Sequence, residues 1–561
     1  MMEHHKIIIY QIFTRLFGNR SQNCVENGTL AENGCGKMSF LDDAVLRRIK
    51  KLGVTHLWYT GVIRHASKTD YSAFGIPCQH PAVVKGRAGS PYAIVDYYDI
   101  DPDLADDVDR RMDEFEALVE RSHKAGLKVI IDFVPNHVAR QYKSIKKTLD
   151  VNDFGEKDDT NKGFYPGNNF YYCPNEPLSP YFDLKGEADE SYSEYPAKAT
   201  GNDHFDCHPG VNDWYETVKL NYGIDYCDAG GRSYHFSPVP DTWYKMKNIL
   251  LFWAAKGVDG FRCDMAEMVP SEFWHWCINA IKKDYPDIVF IAEVYNPSLY
   301  RSYLGSGFDY LYDKVGMYDC LCRVIRGESA ASDITCYWQA VDDIKDHMLY
   351  FLENHDELRL ASDFMSGNAL KAIPAVIVSA LLYNNPFMLY AGQEFGERGM
   401  DKEGFSGKDG RTTIFDYWTV ASLYHGYVNR RKLTTDEKLL EKIYSDILNI
   451  ARKEKAVGQG TFFDLMYVNR NSGMFDPYRQ YAFIRKYSNE VLLVVVNFSD
   501  KAVNCGVNIP QHAFDYMQMT EKSVKATDLL TDEPAILTLK ADSAVELNVP
   551  AYGGRIYKFI V

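Results

Sequence analysis

Four segments of the sequence end an apolar run in ionisable or amide side chains, and chemistry could reside there. IIDFVPNH offers Asp132, Asn136 and His137; GFRCD offers Arg262 and Asp264; FIAE offers Glu293; FLENHDE offers Asn354, His355 and Asp356. Several carboxyls in such a set suit the cleavage of a glycosidic bond. That reaction needs a proton for the leaving oxygen and a nucleophile or base on the other face of the sugar. Enzymes that retain configuration hold the two carboxyls about 5–5.5 Å apart. Arg262 and Asp264 alternate by two on a strand pattern and share a face, which favours the ionised form a nucleophile requires. Glu293 must begin protonated to act as general acid, a state that partial burial among other carboxylates favours. Asp356 could hold hydroxyls near the reacting carbon and favour a cationic transition state. His137 and His355 are donors suited to sugar hydroxyls.

These residues can converge only if the elements that carry them share one rim. Short apolar runs at 7–13, 56–59, 129–133, 260–263, 289–292, 310–311, 350–352 and 387–390 read as strands, with amphipathic stretches such as LDDAVLRRIKKL and MDEFEALVERSHKA between them. Alternating β and α with no all-β prelude implies a parallel sheet, and eight such strands imply a closed (β/α)8 barrel. In that architecture the C-terminal strand ends form one face, where catalytic groups gather. Asp264 and Glu293 are 29 residues apart, about one βα repeat, and Glu293 and Asp356 are 63 apart, about two.

The rhythm breaks once. Between 138 and 238 the chain is rich in Tyr, Asn, Asp, Gly and Pro, which implies a functional excursion rising from the C-terminal face after the third strand. A helical stretch over 435–453 is followed by strand-like runs at 480–485, 491–498 and 554–561, with turn residues between them. The expected organisation is therefore barrel over 1–137 and 239–455, an inserted domain over 138–238, and an all-β sandwich over 456–561.

The bulk properties exclude several partners. A formal net charge of −15 repels nucleic-acid backbones and anionic membrane surfaces, but not a neutral carbohydrate. No run approaches the roughly 20 apolar residues of a membrane span. The opening MMEHHKIIIYQIF carries no signal-peptide pattern, and His4-His5 read as an ordinary solvated terminus. Together with irregularly spaced cysteines, this gives the expectation of a cytoplasmic protein with reduced thiols. DIDPDLADDVDR lacks the glycine and glutamate of an EF-hand loop. His204, Asp206, Cys207 and His208 cluster in the excursion, but such polar clusters in Tyr-rich loops are usually solvated or hydrogen-bonded. The oligomeric state is left open.

DFVPNH, GFRCDMAE, IAEVY and FLENHDE, in this order, resemble the four signature regions of the α-amylase family, glycoside hydrolase family 13; YQIFTR and YAGQEFGE resemble its first and eighth strands, and VKLNYGID its fifth region. The resemblance implies that Asp264 is the nucleophile, Glu293 the acid/base and Asp356 the transition-state stabiliser. It implies that Arg262 orients the nucleophile, that His137 and His355 bind substrate, that Tyr92 stacks on the sugar, and that Asp132 is a structural carboxylate of the rim. It also implies a calcium site with Asn136 as candidate ligand, and no organic cofactor. The implied substrate is a neutral α-glucan, cleaved at α-1,4 bonds. Alternatives are a transglycosylase or an α-1,6-acting glucosidase of the same family, or a catalytically silent carbohydrate-binding or transporter-associated barrel. Two departures stand out: Glu267 and Met268 occupy a pair that is often Lys-His, and Ser90-Pro91 precede Tyr92 where His-Gly is frequent.

Overall fold

The computed structural model describes residues 6–147, 151–186, 190–226, 228 and 230–561. His4 and His5, read above as a solvated terminus, lie outside the described residues. Eight parallel strands close into a barrel: β1 (Ile8–Phe13), β2 (His56–Thr60), β3 (Lys128–Phe133), β4 (Gly260–Cys263), β5 (Val289–Ala292), β6 (Tyr310–Tyr312), β7 (Met348–Phe351) and β8 (Phe387–Tyr390). Each pairs with its sequence neighbour, and β1 closes the ring on β8. The strands are buried on both faces, as all-parallel strands wrapped by helices must be.

Sequence ends and observed ends agree within two residues along the barrel. The largest shift is at the seventh strand, expected at 350–352 and observed at Met348–Phe351, where Met348 pairs with Leu311. The segment MLYFL is apolar throughout and buried throughout, so no alternation marks where pairing begins.

The helices follow from local rules. Asp42 accepts N–H bonds from Ala44 and Val45, both at 2.9 Å, and starts the helix Asp43–Lys51, which buries Val45, Leu46 and Ile49. Thr434 and Glu437 form a reciprocal capping box that starts Thr435–Lys453. Among the described residues no helix is long and apolar enough to cross a membrane.

After β3 the chain leaves the barrel and returns beside it. His137–Ala139 pairs antiparallel with Thr217–Lys219, placing His137 opposite Lys219. Further two-residue ladders join Tyr172–Cys173 to Ala197–Lys198 and Ile224–Asp225 to Ser233–Tyr234. Beyond the barrel, six antiparallel strands form one sheet and Val503–Ile509 pairs with Ser543–Val549 in another. Thr461–Asp464, Val503–Ile509, Lys522–Asp528, Pro534–Leu539 and Ser543–Val549 add to the three strands expected there. Lys522–Asp528 and Ser543–Val549 alternate buried and exposed residues, so half of each is polar and its apolar signal is diluted. Between two of these strands lies the helix Gln511–Met517, which packs Ala513, Phe514 and Met517 inward.

Candidate active site

Register sets the level of each rim residue. Arg262 on β4 is level with Asp132 on β3, and its other neighbour is Ile291 on β5. One step beyond the ladder, Asp264 N–H bonds Phe133 O at 2.8 Å and Glu293 N–H bonds Cys263 O at 3.1 Å. Both carboxyls therefore leave the barrel at the same rim. Met265 then turns the chain with φ of 42°, a left-handed conformation that costs a non-glycine residue energy. That turn aims Met265 N–H at Glu293 Oε2, 2.8 Å away, and Trp274 Nε1 anchors the next residue through Ala266 O at 3.1 Å.

One guanidinium spans the two acids. Arg262 Nη1 donates to Asp264 Oδ1 at 2.6 Å, and Nη2 lies 2.8 Å from Glu293 Oε2 as an ion pair. Asp132 Oδ1 is 3.7 Å from Nη1, and Tyr312 Oη accepts from Nε at 3.2 Å. The rings of Trp58 and Tyr92 flank the cation at 5.3 and 5.4 Å. Burial pushes Asp264 well above the usual carboxylate range; Arg262 pulls it down, and Glu293 and Asp356 push it up again. The contact forms, but dehydration and two neighbouring acids oppose it. Dehydration within the cleft and Glu293 push Asp356 up to about 7, and burial pushes Asp132 up to about 6. Asp132, Asp264, Glu293 and Asp356 thus gather around one guanidinium.

The two histidines are uncharged donors. Gln11 Nε2 donates to His355 Nδ1 at 2.8 Å, which leaves the proton on Nε2. That atom is hydrogen-bonded with Tyr92 Oη and lies 3.0 Å from Asp356 Oδ2. Burial, then Arg262, hold His355 well below the usual imidazole range. Asn136 Nδ2 stands 3.1 Å from His137 Nδ1, and burial lowers His137 to about 3. Tyr92 stacks on His355 with centroids 5.2 Å apart and also donates to Asp132 at 3.4 Å.

A cavity of about 210 Å³ opens over this rim, bounded by Tyr92, His137, Asp264, Glu293 and Asp356. Asp356 stands at its mouth with 38% of its side chain exposed. Arg262, Asp132 and His355 form the layer beneath. Several lining residues escaped the sequence reading. Tyr295 donates to Glu293 Oε1 at 2.5 Å, Trp214 packs 5.2 Å from His137, and Lys85 pairs with Glu216 at 2.9 Å. Tyr295 lies two residues past Glu293, so strand alternation could have flagged it. Trp214 and Glu216 lie in the aperiodic excursion, where no pattern marks them.

The two departures acquire roles. Glu267 Oε2 accepts the N–H groups of Tyr295 and Asn296 at 3.1 and 3.0 Å and so fixes the loop leaving β5. Ser90 Oγ accepts from Tyr92 N–H at 3.2 Å and shapes the approach to the ring. Asn136 is fully committed: Nδ2 donates to Gly201 O at 2.7 Å, and Oδ1 accepts from the Lys219 ammonium. A calcium ion needs six to eight oxygens free of competing cations, and this donor set does not fit one. Among the described residues no group of three His, Cys, Asp or Glu side chains is arranged to hold a metal ion. In the excursion His204 pairs with Asp206 at 2.8 Å, and His208 Nδ1 bonds Ser179 O. Asp99, in the segment read as no EF-hand, receives Arg111 through two bonds of 2.8 and 2.7 Å.

A closed parallel barrel with an acid pair on its C-terminal rim defines a glycosidase-type site. The α-amylase catalytic-domain model matches residues 11–453, and the chain belongs to the α-amylase family of glycoside hydrolases, family 13. α-Amylase 3 of Dictyoglomus thermophilum is 24% identical over 474 residues, covering 81% of this chain and 78% of that protein. α-Amylase MalA of Haloarcula japonica is 23% identical, and the match covers 89% of this chain but only 56% of the relative. The noncanonic maltogenic α-amylase AmyB of Thermotoga neapolitana shares the fold with a TM-score of 0.63 at 19% identity, covering 99% of each chain.

Proposed function

We propose that the chain is a retaining hydrolase of α-1,4-glucosidic bonds in starch-type glucans or maltodextrins. The observation that carries this reading is the Arg262 guanidinium joining Asp264 and Glu293 beneath one cavity. The α-amylase names of its relatives supply the substrate class.

In this reading Asp264 is the nucleophile and Glu293 the acid/base. As the glycosidic bond breaks, Glu293 gives its proton to the leaving oxygen and an Asp264 oxygen forms an ester with the anomeric carbon. The leaving chain departs as an alcohol. Glu293, now a carboxylate, takes a proton from water. The water oxygen attacks the anomeric carbon from the face just vacated, and the ester breaks, so two inversions give retention. Asp264 is restored as a carboxylate and Glu293 as an acid. Arg262 steadies the carboxylate of Asp264 at 2.6 Å. Asp356, with the neutral donors His355 and His137, holds hydroxyls of the reacting ring. Tyr92 offers that ring a flat face. The same reading divides the chain into barrel, inserted domain over 138–238 and C-terminal domain over 456–561.

Proton NMR of the first products released from maltoheptaose tests the stereochemistry. The α-anomer is expected before mutarotation, and a first-formed β-anomer overturns the retaining reading.

A further inference from the structure

Lys219 is the last residue of the strand Thr217–Lys219 and is 2% exposed. An ammonium has three donors and no acceptor. Here each faces an oxygen: Asn136 Oδ1, Asp203 Oδ1 at 2.6 Å and Met268 O at 3.2 Å. The oxygens come from three separate pieces of chain. Asn136 follows β3, Asp203 lies in the excursion, and Met268 ends the turn after β4 that begins at Asp264. Asp203 is held at φ of 62°, a conformation tolerated by aspartate better than by most residues. The arrangement is that of a cation site, with a carboxylate, an amide oxygen and a backbone carbonyl converging on one point.

We propose that Lys219 is a built-in cation that holds the excursion to the barrel in the place where calcium was expected beside Asn136, and that this protein needs no calcium there. The ammonium sits among the oxygens a metal would use, so ion and side chain exclude each other by space and by charge. Its partners reach the active site within one residue. Asn136 contacts His137 through Nδ2, and Lys219 is the direct ladder neighbour of His137. Lys219 is thus a positioning residue that acts on the cavity wall through Asn136.

Metal content and melting temperature of the purified full chain test this. After gel filtration in metal-free buffer, elemental analysis is expected to find no stoichiometric calcium, and neither EDTA nor millimolar calcium chloride is expected to move the melting temperature. Lys219→Met keeps the length of the stem and removes the charge, and a loss of about 5 °C or more is expected from the stranded Asp203 carboxylate. Lys219→Ala vacates the three oxygens, and calcium chloride is expected to raise its melting temperature while leaving the parent unmoved. One calcium per parent chain, a parent melting temperature that falls with EDTA, or a Lys219→Met protein as stable as the parent each overturns the proposal. The metal analysis of the parent decides the matter even where a variant does not fold.

Discussion

Gln11 Nε2 stands 2.8 Å from Nδ1 of His355, and this contact between the first and seventh strand ends fixes which imidazole nitrogen faces the cavity. Gln11 lies inside the buried run IIYQIF and bonds Thr60 Oγ1 at 3.0 Å with the same nitrogen. With Nδ1 occupied as acceptor, Nε2 is the donor toward Tyr92 and Asp356.

Gln11→Leu removes that constraint while keeping the shape of the side chain. kcat/KM on maltoheptaose is expected to fall about tenfold, the cost of one misdirected hydrogen bond near the reacting ring. Gln11→Glu places a carboxylate acceptor against Nδ1 and is expected to fall further, because the proton then moves to the wrong nitrogen. Steady-state kinetics check both; a Gln11→Glu protein faster than Gln11→Leu contradicts the tautomer assignment.

Asp264→Asn and Glu293→Gln keep size and remove the proposed nucleophile and acid/base. Each is expected to lower kcat by about 10⁴-fold or more with folding intact. Residual activity of a few per cent in Asp264→Asn, with contamination excluded by active-site titration, contradicts the assignment.

Tyr295 is expected to act on kcat more than on KM. Its hydroxyl, 2.5 Å from Glu293 Oε1, orients the acid/base. Tyr295→Phe is expected to lower kcat about tenfold with KM changed by no more than about twofold. An unchanged kcat with a raised KM would make Tyr295 a substrate contact instead.

The buried titratable groups make stability depend on pH. Burial pushes Glu353 and Glu394 up to about 7 and Asp101, Asp132 and Asp313 up to about 6. A carboxyl raised in the folded state contributes stability below its unfolded pKa and loses it as pH rises through the folded value. Burial lowers His56 to about 4 and His65 and His137 to about 3. A histidine lowered in the folded state contributes stability above its unfolded pKa, and that contribution is lost as pH falls below about 6.5. Between pH 5 and 6 the five carboxyls lose more than the three histidines gain, so the melting temperature is expected to fall from pH 5 toward about 7. Calorimetry from pH 5 to 9 checks this, and a melting temperature that climbs steadily to pH 9 contradicts it.

The legible part of this molecule is the part governed by a repeat. Polar residues closing apolar runs marked Asp132, Arg262, Asp264, Glu293 and His355, and the barrel brings them to one rim because every strand ends there. Residues that act through a neighbour were illegible. Gln11 is one polar residue in an apolar strand, and only the register of β1 beside β2 and β8 shows where it points. Lys219 and Trp214 lie in an excursion without periodicity, so their places follow from the ladder between His137–Ala139 and Thr217–Lys219. The surroundings of Asp264 were legible only in part, for a related reason. Two-residue spacing showed its cation, whereas its dehydration and the approach of Glu293 and Asp356 are consequences of the closed rim.

As the proposed nucleophile, Asp264 bonds covalently to the sugar during turnover. Incubation with 5-fluoro-α-D-glucosyl fluoride, followed by proteolysis and mass spectrometry, tests it most directly. A 5-fluoroglucosyl adduct is expected on the peptide containing Asp264 and is expected to be absent from Asp264→Asn. An adduct on a different carboxylate of the rim would contradict it.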